Sequence, residues 1–98
     1  MLKKDILKAI YMAIDDINDQ LPEESQLDKT EESFIFGNRG KLDSMGLVHL
    51  IVATEQNIED LLNVSITLAD EKAMSQMRNP FKTVGTLAES IINAIGND

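Results

Sequence analysis

Two side chains in this sequence invite a chemical reading first: Ser44, within LDSMGL from Leu42 to Leu47, and His49, the only histidine. A serine hydroxyl becomes a nucleophile only with a general base in hydrogen-bond reach. His49 stands five positions on, about 140° around a helix from Ser44, so no triad can be assembled and a serine hydrolase ranks last among the readings for want of a base. A hydroxyl that receives a group from another enzyme needs no base of its own. At a helix start, a phosphate ester is also favoured by the first helical amides and by the positive end of the dipole. The plain structural alternative is an ordinary helix cap, a position that favours Ser and Asp.

Other constellations carry less. Gly37, Gly40 and Lys41 suggest a phosphate loop, but that motif requires Gly at 35 and Ser or Thr at 42, where Ile35 and Leu42 stand. The pairs Asp15/Asp16, Glu23/Glu24 and Glu31/Glu32 lack calcium-loop spacing, and adjacent residues do not face each other on a helix, so they read as solvated surface. His49 has no second His or Cys to share a metal. Met74 and Met77, one helical turn apart, read as core residues that can border a channel for a flexible apolar cargo.

Composition limits the possibilities further. The chain has 98 residues, enough for one small domain over residues 1–98. Nine Lys and Arg against 17 Asp and Glu give a net charge of -8, which argues against nucleic-acid binding because phosphate neutralisation needs a basic surface. Hydrophobic residues make up 43% and aromatics 4%, so a core can form and must be aliphatic. There is no cysteine, hence no disulfide framework or thiolate metal site. No apolar run is long enough to span a bilayer. The opening MLKKDILKAI is broken by charges where a signal peptide needs a continuous apolar stretch, so a cytoplasmic protein is expected.

Elements that would position Ser44 follow from periodicity. Ile6, Ile10, Ala13, Ile14 and Ile17 define a first amphipathic helix ending near Gln20. A long acidic connection begins at Leu21 and Pro22, with Phe34, Ile35 and Phe36 expected to dock it on the core and Gly37 and Gly40 to supply turns. A second helix is expected from Asp43 or Ser44 to about Leu62, with Leu47, Leu50, Ile51, Thr54, Ile58, Leu61 and Leu62 on its inner stripe. A short third helix over 67–77 is stopped by Pro80. A final helix is capped by Thr83 and turns Val84, Leu87, Ala88, Ile91 and Ile95 inward. The fold class expected is all-α, a four-helix bundle with a short third helix and a long loop between helices one and two.

This order of elements, with Asp43-Ser44 at the start of the second helix and PFKTVGTLAESI from Pro80 to Ile91 leading into the last, resembles the acyl carrier proteins along nearly the whole chain. Met45 replaces the Leu usual in their Asp-Ser-Leu motif. The resemblance implies a non-enzyme in which Ser44 carries a 4′-phosphopantetheine arm and Asp43 helps a phosphopantetheinyl transferase recognise it. Acyl groups would then ride on the arm as thioesters between acyl-transferring or acyl-modifying enzymes, with the carrier itself a monomer. On this reading Met45, His49, Val52, Glu55, Gln56 and Glu59 form the partner-binding face. Gly46 and His49 stand where fatty-acid carriers commonly have acids, which points to a specialised lipid, polyketide or related pathway. The alternatives are an aminoacyl carrier, peptidyl or D-alanyl, and an acidic helical adaptor that carries no arm.

Overall fold

Among the described residues the aliphatic repeats become three α-helices, α1 over Leu2–Asn18, α2 over Ser44–Leu62 and α3 over Val84–Gly96, with a 3₁₀ turn at Glu23–Ser25. The computed structural model describes residues 2–36, 40–66 and 81–96. The short helix expected over 67–77, with Met74, Met77, Pro80 and the turn at Gly37, lies outside the described residues. Among those described, the architecture is all-helical, with the first, second and last of the four expected helices present, and Phe34 and Thr83 form an isolated antiparallel bridge in place of any strand.

α1 is the central element, packing against both α2 and α3. Ile6, Ala9, Ile10, Ala13 and Ile14 are fully buried on its inner face. α2 contributes Leu47, Leu50, Ile51, Thr54 and Ile58, and α3 contributes Val84, Leu87, Ala88 and Ile91. One inner-stripe expectation needs correction at a helix end: Leu61 is exposed, because a terminal turn has packing neighbours on fewer sides, whereas Ile17, Leu62 and Ile95 are half-buried and pack against the core. α2 runs antiparallel to α1: its start lies beside Asp16 to Leu21, and further along the Asn57 side-chain amide donates to the Ala9 carbonyl at 3.0 Å.

The long connection is fixed in place at several points. At the end of α1, Asn18 forms a two-way clamp with Leu27, donating from Nδ2 to its carbonyl at 3.0 Å and accepting from its N–H at 2.9 Å. The Gln26 side chain donates to the Asn18 and Leu21 carbonyls, at 3.1 and 3.3 Å, satisfying acceptors that a helix end leaves over. Further on, Ile35 is fully buried and Phe36 packs against the core, as the apolar cluster suggested, while Phe34 is half-buried and lines an open groove with Asp28, Ser33 and Lys41. Two amides at the start of α3, Val84 and Gly85, donate to the Ser33 and Glu31 carbonyls at 3.0 and 2.9 Å. The loop therefore supplies the acceptors those first-turn donors would otherwise lack.

Candidate functional site

The Ser44 position is built from the loop inward. Ile35 donates its N–H to the Lys82 carbonyl at 2.7 Å and accepts from the Leu42 N–H at 3.0 Å, so Leu42 is tied through Ile35 to the residues just before α3. Gly40 approaches the Phe36 backbone so closely that a Cβ there would clash with it. Leu42 is then buried, which anchors the residue immediately before the motif.

Asp43 is the N-cap of α2. Its backbone is extended, with φ −84° and ψ −176°, and its Oδ1 accepts from the Gly46 N–H at 2.8 Å. Ser44 is the first residue of the helix. The sequence left the cap open between these two residues, and the geometry gives it to Asp43. Gly46 is part of the same arrangement: a Cβ there would lie 3.1 Å from Leu42 Cδ2 and 3.3 Å from the capping Asp43 Oδ1, tighter than packed atoms tolerate without moving. The absence of a side chain at 46 thus lets the buried Leu42 and the cap carboxylate sit together.

Away from Ser44, α2 has an outward face of mixed character. Met45 is 66% exposed, Val52 56% and Val48 44%; spaced by three and four residues, they make one apolar ridge. Gln56 and Glu59 are exposed and continue it. Glu55 is half-buried and engaged in an interaction of its own, which sets it at the edge of the face. Val48 was missed among the candidate contact residues, although its spacing from Met45 and Val52 was readable. His49 leans to the other side, where Asp16, Ile17, Gln20 and Leu21 of α1 and its following turn meet Asp43, Gly46 and Ala53 around an open groove of about 340 Å³. The structure thus brings Asp43, Ser44, Met45 and Val52 onto one helix start and face and assigns His49 to the adjoining groove.

Among the described residues there is no cluster of His, Cys, Asp and Glu able to hold a metal, and no helix is long and apolar enough to cross a membrane. The acidic pairs are surface residues. Asp15 is paired with Lys29 at 3.1 Å and Glu31 with Lys3 at 2.9 Å, each pair half-exposed. The Glu31 carboxylate, hydrogen-bonded to the Lys3 ammonium, raises the Lys3 pKa above its ordinary value, and burial raises that of the Tyr11 phenol. No protein-family model, curated protein or solved structure matches the chain; the site is read from its own residues.

Proposed function

We propose that this protein is an acyl carrier: a non-enzymatic domain whose Ser44 receives a 4′-phosphopantetheine arm and which presents acyl groups, as thioesters on that arm, to successive enzymes. The observation that carries the reading is the division of labour at the start of α2. Asp43 takes the capping role, so capping does not account for a serine at 44, in the LDSMGL setting that resembles carrier motifs. The arm, when attached, supplies the thiol that the cysteine-free chain lacks. Everything else is the chain's own contribution. Asp43 fixes the first turn, and the first-turn amides and helix dipole favour a phosphate ester there. The ridge of Met45, Val48 and Val52 offers a partner apolar contact beside the attachment residue, and tethering raises the local concentration of cargo at each encounter. An exposed ridge with His49 beside it and few acids near Ser44 supports recognition by apolar contact more than by charge, as a specialised rather than a general fatty-acid carrier would use.

The test is mass spectrometry of the purified protein incubated with coenzyme A and a broad-specificity transferase. The expected result is one added phosphopantetheine on the native chain and none on Ser44→Ala. No mass gain, or a gain that survives Ser44→Ala, overturns the proposal and leaves the acidic helical adaptor standing. Loading is also expected to proceed without any change in oligomeric state from monomer.

A further inference from the structure

The outer face of α1 carries its cations at the wrong end for the helix. Lys3, Lys4 and Lys8 are exposed in its first two turns, where the macrodipole favours anions, and Lys4 and Lys8 stand one turn apart, where like charges repel. Lys3 is held by Glu31 at 2.9 Å, but Lys4 and Lys8 have no acidic partner among the described residues. In a chain of net charge -8, these two lysines are unfavourable for the helix that bears them. They border an open groove of about 770 Å³, lined also by Leu7, Tyr11 and Met12 and by Asp5, Asp15 and Glu31. Asp15 and Glu31 are already paired, with Lys29 and Lys3, so Asp5 alone offsets the two free lysines and the groove keeps a positive balance. Met12 is 42% exposed, while Leu7 and Tyr11 are half-buried against the core.

We propose that this groove docks an acidic amphipathic helix of a partner protein, with apolar side chains seated on Leu7, Tyr11 and Met12 and two carboxylates one turn apart pairing with Lys4 and Lys8. The match is one of spacing and of sign. Lys4 and Lys8 are about 6 Å apart along α1, the repeat of acids at i and i+4 on a facing helix. Tyrosine and methionine are side chains that interfaces favour, and rim charges add specificity and encounter rate more than affinity. A groove this open does not suit a small molecule, which binds in clefts that bury most of its surface. Nor is it built for a lipid surface. The broad apolar side of α1, Ile6, Ala9, Ile10, Ala13 and Ile14, is already buried in the core, and anionic lipid is recognised by clusters of about four to eight cations, not two. The proposal does not depend on the carrier reading. Lys4 and Lys8 are about 12 to 18 Å along α1 from Asp16, beside which α2 begins, so a helix docked on them leaves the start of α2 free.

The probe is a synthetic helical peptide with leucines along one side and two glutamates one turn apart beside them, titrated into the full isotope-labelled chain and followed by NMR. Amide shifts are expected from Lys4 to Met12 and not along α2, with affinity falling as salt is raised. Lys4→Glu together with Lys8→Glu should weaken binding by about tenfold or more, while thermal unfolding stays at or above native, because acids suit the start of a helix. A double variant that melts well below native gives the lysines a structural role and overturns the proposal. No binding, shifts that map to another face, undiminished binding by the double variant, or equal binding of a peptide with lysines in place of the glutamates also overturns it. So does tighter binding of the native chain to phosphatidylglycerol vesicles than to the peptide, which would make the site a lipid surface. Self-association of the chain with shifts in the α1 groove overturns it too, by making the occupant a second copy.

Discussion

The two faces of α2 carry the same kinds of side chain in opposite situations. Inside, Leu47, Leu50, Ile51 and Ile58 are buried against the core; outside, Met45, Val48 and Val52 are 44% to 66% exposed. Single apolar residues on a surface are ordinary. Three in a ridge beside Ser44, the residue that follows the cap, are different, because contiguous exposed apolar surface marks a contact site more than a packing one. The inner face is there for stability, and the outer face is free to be there for recognition. Substitution can separate the two.

The largest effect is expected on the inside. Ile51→Ala on α2 and Ile91→Ala on α3 each remove a fully buried side chain and are expected to cost about 2 to 5 kcal/mol in chemical denaturation, a large part of what so small a domain has. Either variant unfolding like the native chain would break the description of this core.

At the boundary between the faces, Asp43→Ala removes the carboxylate that caps α2. The expected loss is about 1 kcal/mol, visible as a lower midpoint in urea. Because the same side chain fixes the first turn around Ser44, the rate of phosphopantetheine loading should fall by more than the small unfolded fraction accounts for.

On the outside, Met45→Ser together with Val52→Ser should leave stability within about 0.5 kcal/mol while, on the proposed carrier reading, weakening association with a phosphopantetheinyl transferase, measured by surface-immobilised binding. His49→Glu sharpens the comparison by adding charge in the groove beside the apolar ridge. Association with a basic fatty-acid ketosynthase is expected to become faster and more salt-sensitive. If the native chain already binds that enzyme as fast as a fatty-acid carrier does, and the added acid changes neither rate nor salt dependence, partner choice lies elsewhere.

The smallest effect lies far from α2. Lys3 and Tyr11 both have folded-state pKa values above their ordinary ones, Lys3 through Glu31 and Tyr11 through burial. A raised folded pKa means the folded state holds its proton more tightly, so the contribution is complete below about pH 10 and is lost as pH rises through the folded values. Stability followed by circular dichroism should be flat on this account at neutral pH and decline on the alkaline side. Glu31→Gln should remove the Lys3 share of that decline with little effect at pH 7, since the pair is exposed and screened.

Much of this arrangement was legible in the residues. The repeats of Ile6, Ile10, Ala13 and Ile14, of Leu47, Leu50, Ile51 and Ile58, and of Val84, Leu87, Ala88 and Ile91 gave the three helices and their inner faces, and Asn63 and Thr83 fell where helices end and begin. Thr83 Oγ1 indeed accepts from the Thr86 N–H at 3.1 Å, and Thr86 Oγ1 accepts in return from the Thr83 N–H at 3.0 Å, a reciprocal cap. The loop was legible only as a cluster, Phe34 to Phe36. Its clamps were not: nothing in the types or spacing of Asn18, Gln26 and Leu27 announces that they meet. Thr54 was placed correctly on the inner stripe, yet that its hydroxyl would be left without a hydrogen-bond partner there was invisible.

By itself, then, the sequence determined which stretches are helical, which way each helix faces, that the core is aliphatic, and that Ser44 stands at a helix start. These follow from the 3.6-residue period and from the chemistry of helix ends, both of which act over a few neighbouring residues. Only the tertiary structure decided that Asp43 and not Ser44 is the cap, that the loop is pinned to α1 and α3 so that Leu42 delivers the motif to its place, and that Val48 joins the exposed ridge while His49 borders a groove. The cap is a local contact, Asp43 with Gly46, that the residue types left open between two candidates; the placing of the loop depends instead on hydrogen bonds and burial between groups far apart in the chain, such as Ile35 with Lys82, whose strength exists only once folding has brought the partners to within 3 Å of each other.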